Sequence, residues 1–313
     1  MKIPKKKTAI VAAIVIALIV IGSIIMKPKP VEAAEMTVFG ELNYMLSNNE
    51  DANGVSTSKA ENNGSSIGVD FAQPLSEGVD GFATLEVDID ADDSGSNPFD
   101  SKLAFAGVDM GTAGILSAGR QDSVFKGTVT SKTDVFPEYG NSAAQKLFSR
   151  DSHTVIYTNT FGAVTLDNMI KVDGTTGKSG VDVYEAAASM DINDAMNVGV
   201  AYTDDKVNEV TYTGAGLTYV VSDSTTVGYT HTIKDAETTN LTTTANEVVA
   251  SHLIDDTTYS VGYGKVEDGA AHTTVGAEKK IGDNFSMYGA FEMTDPASGV
   301  DTQDAAAGIK FTF

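Results

Sequence analysis

The chain contains no cysteine and no tryptophan, and only seven of its 313 residues are proline. Without cysteine it can form neither a disulfide framework nor a thiolate metal site. Few prolines beside 30 glycines favour sheets that are joined by tight turns. Tyrosine and phenylalanine are therefore the aromatic residues left to serve at a membrane interface.

Basic residues are scarce as well. Of the 21 basic and 43 acidic residues, six lysines and one glutamate lie in the first 33 residues, which leaves 15 against 42, a formal charge of −27. A chain this acidic would repel the phosphates of nucleic acid. The composition thus excludes nucleic acid as a partner.

Long apolar runs are confined to the N-terminus. A lysine-rich start leads into an apolar run from Ala9 to Val20 that continues to Met26, which is typical of an export signal. An uncleaved anchor over the same run is the alternative, because its length is nearly enough to span a bilayer. The sequence after this run has no apolar stretch long enough for a membrane helix, which excludes a helical membrane protein.

The rest of the sequence alternates with a period of two residues, as half-buried strands do. In the first such segment Val38, Leu42 and Tyr44 share one face, and Glu41 and Asn43 share the other. We predict about 16 strands, at 36–46, 65–73, 79–90, 101–109, 113–121, 151–159, 163–172, 181–190, 195–204, 207–221, 224–234, 245–254, 256–266, 271–280, 284–294 and 302–313. Gly214-Ala215-Gly216 interrupts the alternation, and there we expect a bulge.

Connections between the predicted strands alternate between short and long, the long ones being 47–64, 122–150 and 234–244. This arrangement is typical of an all-β, antiparallel transmembrane β-barrel. A soluble β-sandwich would also alternate. Two features favour the barrel, namely an apolar C-terminal strand that ends in Phe313 and tyrosines near strand ends, as in an interfacial girdle. These tyrosines are Tyr44, Tyr157, Tyr184, Tyr202, Tyr219 and Tyr263.

The sequence contains Ser101-Lys102-Leu103-Ala104-Phe105-Ala106-Gly107, then Gly119-Arg120-Gln121, and then Asp134-Val135-Phe136-Pro137-Glu138-Tyr139-Gly140. These segments belong to four motifs, strongest over residues 101–159, that resemble the trimeric general diffusion porins of Gram-negative bacteria. The segment at 134–140 is similar to the tip of their long third loop. Arg150, followed seven residues later by Tyr157, is similar to the start of their sixth strand. Phe313 is similar to the terminal residue that their assembly machinery recognises.

The resemblance implies a 16-stranded, homotrimeric barrel of the outer membrane that passes small hydrophilic solutes and ions passively. Its third loop, at about 122–150, would fold inward and narrow the pore. By the resemblance, Asp134 and Glu138 are the loop's acidic pair, and Arg120 and Arg150 lie on the opposing wall. Opposed charges across a narrow pore would create a transverse field that orients polar solutes. Alternatively, the two arginines pair with loop carboxylates and hold the loop.

The sequence also departs from this family. Glu41 stands where the family tends to have a lysine, and Ser66 where it tends to have an arginine. Alternation assigns more acidic than basic side chains to the lumen, so we expect an acidic, cation-selective pore. The acidic set is Asp70, Glu86, Asp167, Glu185, Glu278 and Glu292, and the basic set is Lys102, Lys171 and Lys280. Glu41 and Lys102 are therefore counted with the constriction residues.

An enzyme would need a histidine placed beside a nucleophile or an acid. The four histidines lie on separate predicted strands without such a motif, which argues against an enzyme. The aspartates of 88–93 lack the glycine and glutamate of a calcium loop, so we expect no metal and no cofactor. Two alternatives remain open: a substrate-specific channel, and a structural or adhesin barrel with a plugged lumen. The expected membrane partners are lipid, lipopolysaccharide and, through Phe313, the barrel assembly machinery.

Val31-Glu32-Ala33 places small or modest residues where a signal peptidase reads the chain. We therefore predict a signal peptide at 1–33 and a mature barrel at 34–313 that begins with Ala34. N-terminal sequencing of protein from outer membranes is the measurement. Material that retains Lys2 would contradict the prediction.

Overall fold

The computed structural model of the protein describes residues 34–92, 98–174 and 180–313. The predicted signal peptide, and Asp93 of the acidic run, lie outside these ranges. The alternating segments form one antiparallel sheet. Its strands are β1 (Glu35–Glu50), β2 (Ser56–Asn62), β3 (Ser66–Ser76), β4 (Val79–Ile89), β5 (Phe99–Asp109), β6 (Ile115–Asp122), β7 (Arg150–Phe161), β8 (Val164–Lys171), β9 (Val183–Asn193), β10 (Met196–Asp205), β11 (Val210–Ser222), β12 (Thr225–Ala236), β13 (Leu241–Ile254), β14 (Thr257–Val266), β15 (Ala271–Lys280), β16 (Phe285–Asp295) and β17 (Thr302–Thr312).

The sheet closes on itself because β1 pairs with β17 on one side and with both β2 and β3 on the other. β2 and β3 follow one another along β1, and the register changes by one residue between the pairs Tyr44–Asn62 and Glu41–Ser66. They therefore count as one barrel strand interrupted by a bulge. The result is a closed 16-stranded barrel, which confirms the predicted fold.

Alternation along each strand separates an inner face from an outer one. In β1 the side chains of Asn43 and Met45 are buried, whereas Leu42 and Leu46 are 50% and 66% exposed. The apolar outer face suits hydrocarbon, and the polar inner face suits a water-filled lumen. Tyrosines predicted for the interfacial girdle are exposed on the outer face, with Tyr44, Tyr157, Tyr202, Tyr219 and Tyr263 between 37% and 50% accessible.

Three local predictions were wrong. The connection expected at 234–244 is a tight hairpin, since β12 and β13 stay paired up to Ala236 and Leu241. The segment 47–64, expected to be a long loop, is largely a continuation of the first hairpin, since β1 and β2 stay paired up to Glu50 and Ser56. Gly214-Ala215-Gly216 contains no bulge, because β11 pairs in unbroken register with β10 and β12 there. The glycines of this segment serve close packing, as described below.

The segment between β6 and β7, residues 123–149, is hereafter the third loop. It begins with the short helix α1 (Val124–Thr128), whose N-terminus is capped by the Ser123 hydroxyl accepting from the Lys126 amide at 3.2 Å. A 3-10 turn, Thr130–Lys132, follows. Within the described ranges, no helix is long and apolar enough to span a bilayer.

The C-terminus completes the seam of the barrel. The backbone amide and carbonyl of Phe313 pair with those of Gly40 at 3.0 Å each, one residue beyond the end of β17. Its ring stacks on Phe311 with 6.1 Å between centroids. The last residue thus adds both backbone and aromatic contacts where the first and last strands meet.

Deleting Phe313 is expected to slow assembly, because the seam loses two backbone hydrogen bonds and a ring contact. The measurement is the rate at which heat-modifiable, folded protein accumulates in outer membranes. Phe313→Leu, which keeps the backbone pairing, separates loss of the seam from loss of the aromatic residue. If the deletion variant assembles at the wild-type rate, Phe313 does not contribute to assembly.

Candidate functional site: the third loop and the inner wall of the barrel

The first part of the third loop is anchored by apolar side chains. Phe125 and Val129 are fully buried inside the barrel. They pack in one cluster with Met169 of β8, Ala201 of β10 and Tyr212 of β11. The loop is thus held against the inner face of these strands and does not extend outward from the rim.

Glycines on the inner face give the loop room to lie against the wall. A Cβ atom added at any of seven of them would come within 3.1 Å of a loop atom, closer than side chains normally pack. At Gly228 it would overlap the carbonyl oxygen of Lys132. The seven, spread over β10, β11, β12, β14 and β15, are Gly199, Gly214, Gly216, Gly228, Gly262, Gly264 and Gly276.

Glu185 of β9 binds the start of the loop. Its carboxylate accepts hydrogen bonds from the Ser123 hydroxyl at 2.8 Å and the Phe125 amide at 3.2 Å. Thr203 of the adjacent strand donates to the other oxygen at 3.0 Å. Although Glu185 is fully buried, its carboxylate has several donors, which is the condition for burying such a group at tolerable cost.

Two further wall carboxylates bind later parts of the loop. Glu247 of β13 accepts from the Thr133 hydroxyl and from the Ala143 amide, each at 3.1 Å. Glu292 of β16 accepts from the Gly140 amide at 3.1 Å. The loop therefore follows the inner wall from β9 to β16, held by one carboxylate near its start and two farther along.

The tip of the loop reaches the first strands. Asn63, between β2 and β3, donates to the Pro137 carbonyl at 3.4 Å, and the Tyr139 hydroxyl donates to Asn49 at 3.0 Å. Burial raises the pKa of Glu138, and its neighbours include Asn63. The tip consequently lies inside the lumen, next to β16, β1 and β2.

The wall that the loop leaves uncovered includes β3, β4 and β5. There Lys102 lies 3.0 Å from Glu86 and 3.6 Å from Asp88, and it donates to the Ser66 hydroxyl at 3.3 Å. Glu41 lies directly across from Ser66 in the sheet and forms no ion pair among the described residues. Two carboxylates thus contact one lysine here, and a third, Glu41, lies on the neighbouring strand across from Ser66.

The two predicted arginines are held by neighbours on the same wall. Arg150 forms an ion pair with Asp122 at 3.0 Å, where β6 and β7 meet the loop. Arg120 donates to the Ser101 carbonyl at 3.0 Å and to the Ser152 hydroxyl at 3.3 Å, which lie on the strands to either side of β6. Arg120 therefore extends along the wall.

The predicted acidic pair of the loop makes no ion pair with these arginines. Asp134 is exposed, and Glu138 is half-buried at the tip. Neither carboxylate has a basic partner within the part of the chain that the structure describes. Whether the pair faces Arg120 and Arg150 across water stays a prediction.

Alternation placed the anchoring carboxylates Glu185 and Glu292 in the lumen, but their contact with the loop was not foreseen. Glu247 was missed altogether. A usable signal is the glycines on neighbouring inward positions, since a strand face without side chains leaves space that another segment has to fill.

The histidines lie on four different strands, β7, β12, β13 and β15. No group of three or more histidine, aspartate or glutamate side chains among the described residues is arranged to hold a metal ion.

Gly228→Ala is expected to displace the third loop, because the new methyl group would overlap the Lys132 carbonyl, which is backbone. Overpacking of this kind costs about 1–3 kcal/mol, so the urea midpoint of unfolding should fall and the single-channel conductance should change. Gly127→Ala is the matched control, since its added methyl meets no atom within 4 Å. Equal behaviour of the two variants would contradict the close contact.

The comparisons with known proteins agree with this geometry. A sequence profile of the Gram-negative porin family matches residues 12–306. The chain is similar in structure to the anion-selective porin from Comamonas acidovorans, with 16% identity, a TM-score of 0.77, and coverage of 90% of this chain and 100% of that chain. It is similar to Salmonella typhi OmpF, in a complex with daunomycin, with 17% identity, a TM-score of 0.72, and coverage of 89% and 97%. The trimer form of Vibrio cholerae OmpT shares 15% identity, with a TM-score of 0.71 and coverage of 90% and 100%.

No curated protein matches the chain in sequence. At these identities the solved structures establish the shared fold, and the sequence profile, which spans most of the chain, establishes the family. The chain belongs to the Gram-negative porin family and is an outer-membrane channel protein.

Proposed function

We propose that the protein is a general diffusion pore for small hydrophilic solutes and ions, and that it favours cations. The constriction lies between the third loop and the wall formed by β3 to β7. The observation that carries the proposal is the composition of this wall, where Glu86 and Asp88 outnumber Lys102 and Glu41 is added without a basic partner.

The position of the passage follows from the contacts of the loop. Its carboxylate anchors and glycine contacts lie on β9 to β16, and its tip meets the first strands. No hydrogen bond or ion pair between described residues joins the loop to β4 or β5. The water-filled space is therefore expected beside β4 and β5.

Charges on the two sides of this space support selectivity for cations. Lys102 contributes one positive charge against the negative charges of Glu41, Glu86 and Asp88. Arg150 shares the carboxylate of Asp122 with Lys126 of the loop, so this group keeps one positive charge. Asp134 and Glu138 would add negative charge on the loop side, and Arg120 is the remaining cation of the wall. A lumen with this balance concentrates cations and repels anions.

The anion-selective Comamonas porin has the same fold, but ion selectivity follows from individual lumen side chains and not from the barrel. At 16% identity, the lumen side chains of that porin are no guide to those of this chain. Two other functions remain possible on this fold, a substrate-specific channel and a plugged structural barrel. No observation favours either over a diffusion pore.

The assembly proposed for the membrane is a homotrimer, by analogy with the trimer form of Vibrio cholerae OmpT. Lipid and lipopolysaccharide surround it, and Phe313 is proposed to direct the chain to the barrel assembly machinery. The apolar outer face, exemplified by Leu42 and Leu46, supports contact with lipid.

We predict that the reversal potential in a planar bilayer under a KCl gradient will show preference for potassium. Glu41→Lys should lower the ratio of cation to anion permeability by roughly fivefold or more, since a unit charge at contact distance in water is worth about 1 kcal/mol and the substitution changes the charge by two units. Glu77→Lys, the same charge change on the exposed turn between β3 and β4, should leave the ratio nearly unchanged. A wild-type pore that favours chloride would contradict the proposed cation selectivity. A wild-type barrel that does not conduct would contradict the proposed pore function.

Acidification should weaken the preference for cations in two steps, because the pKa of Glu138 is raised. Because burial raises this pKa, Glu138 binds its proton before ordinary carboxyl groups do as the pH falls. The first loss of selectivity is thus expected above the usual carboxylate range near about pH 4. Glu138→Gln should remove this first step and leave the later one.

A further inference from the structure

Two aromatic side chains face the lumen on the wall that the third loop leaves uncovered. Phe82 of β4 lies an even number of residues from Glu86 without an intervening bulge, so both side chains point inward. Phe105 of β5 pairs directly with Thr84, which has the same inward orientation on β4. The Phe82 and Phe105 rings form an edge-to-face pair, with 6.4 Å between their centroids and an interplanar angle of 76°. They are partly exposed inside the barrel and are hereafter the aromatic pair.

The two rings of the aromatic pair differ in what they contribute to the wall. A Cβ atom added at Gly107 would overlap the Phe82 ring, so this ring fills the space that the glycine leaves. The Phe105 ring has no such role, because no described glycine has this ring among the atoms that an added Cβ would first meet. Phe105 can therefore be replaced without uncovering a glycine of the wall.

Two carboxylates border the aromatic pair. Asp70 of β3 lies across from Thr84, whose hydroxyl donates to it at 2.6 Å, so its carboxylate is one strand beyond the partner of Phe105. Asp70 is exposed and forms no ion pair with any residue that the structure describes. Glu86 is the diagonal neighbour of Phe105 across β4 and β5, a relation within reach of aromatic and long side chains. The rings thus lie in a negatively charged part of the lumen.

The two cations of this wall have partners of their own. Lys102 lies 3.0 Å from Glu86 and 3.6 Å from Asp88, on the side of Glu86 that is farther from the aromatic pair. Arg120 donates to the Ser101 carbonyl at 3.0 Å. Within the described ranges, neither cation lies over a ring of the pair. The ring faces are therefore left to a cation from solution.

We propose that Phe82, Phe105 and Asp70 form a subsite in the lumen for organic cations that carry an aromatic or apolar group. The ring faces attract the cationic centre, the edge-to-face pair offers apolar contact, and the carboxylate complements the charge. A neutral solute would lack the charge contact, an anion would be repelled, and a small inorganic cation would gain little from the rings. The subsite rests on the proposed function, because solutes reach it only through a water-filled passage beside β4 and β5.

The test separates the rings from the charge. Three probes are compared: benzyltrimethylammonium, which has a ring and a charge, tetramethylammonium, which has only the charge, and benzyl alcohol, which has only the ring. Phe105→Leu removes one ring and changes no charge. Phe99→Leu is the matched control, because Phe99 is 58% exposed on the outer face of the same strand. Each variant is first checked for heat-modifiable folding.

The measurement is the probe concentration that halves the potassium current through single channels. For wild type this concentration should be lower for benzyltrimethylammonium than for either of the other probes. Phe105→Leu should raise it for benzyltrimethylammonium by roughly threefold to tenfold and change it for tetramethylammonium by less than about twofold. Its reversal potential in a KCl gradient should stay at the wild-type value, and Phe99→Leu should behave like wild type throughout.

Equal half-blocking concentrations of benzyltrimethylammonium for wild type and Phe105→Leu, in channels that conduct, would reject the subsite and leave the pore function intact. A wild-type protein that does not conduct would instead overturn the proposed function. Saturation-transfer NMR of the benzyltrimethylammonium ring protons on the folded protein in detergent would then decide the subsite. Weaker transfer from Phe105→Leu than from wild type and Phe99→Leu supports it, and equal transfer rejects it.

If Phe105→Leu does not fold, Asp70→Asn decides, because asparagine keeps an oxygen for the Thr84 hydroxyl and removes only the charge. The preference for benzyltrimethylammonium over benzyl alcohol should then fall by roughly fivefold. An unchanged preference would reject the subsite.

Discussion

Every backbone amide and carbonyl in a membrane-spanning sheet must find its partner inside the protein, because hydrocarbon offers none. The closure of β1 on β17 meets this constraint, and the rest of the structure depends on it. An open edge would leave a row of unpaired groups in lipid. Closure also creates the lumen, a space lined by one face of every strand, in which a long loop can be placed.

The third loop faces the same requirement on a smaller scale. A segment folded into a lumen loses much of its water, so its amides and hydroxyls need partners on the wall. Glu185, Glu247 and Glu292 provide them, and the carboxyl group of each gains hydrogen-bond donors in return. Glycines beneath the loop permit the short distances that these hydrogen bonds require. The carboxylates and the glycines of the wall thus act together to hold the loop in place.

The same lumen has two chemically different sides. On the side covered by the loop, carboxylates such as Glu247 accept hydrogen bonds from the loop. On the open side, Glu41 lacks a basic partner among the described residues, and Lys102 is shared between two carboxylates. Acidic residues therefore have two roles in this barrel, one structural and one directed at permeating ions, and a count of lumen charges alone would not separate them.

Because alternation is a local property, the sequence alone predicts most of the strands and which of their side chains meet lipid. It also placed Glu185 and Glu292 in the lumen correctly. It failed at Gly214-Ala215-Gly216, where missing side chains looked like a break in a strand but make room for Phe125 and Val129 from a distant loop. Which wall positions meet the loop was decided only by the tertiary structure. Contacts between residues 60 to 150 positions apart depend on how the closed barrel brings its strands around the loop, and no local pattern encodes that distance.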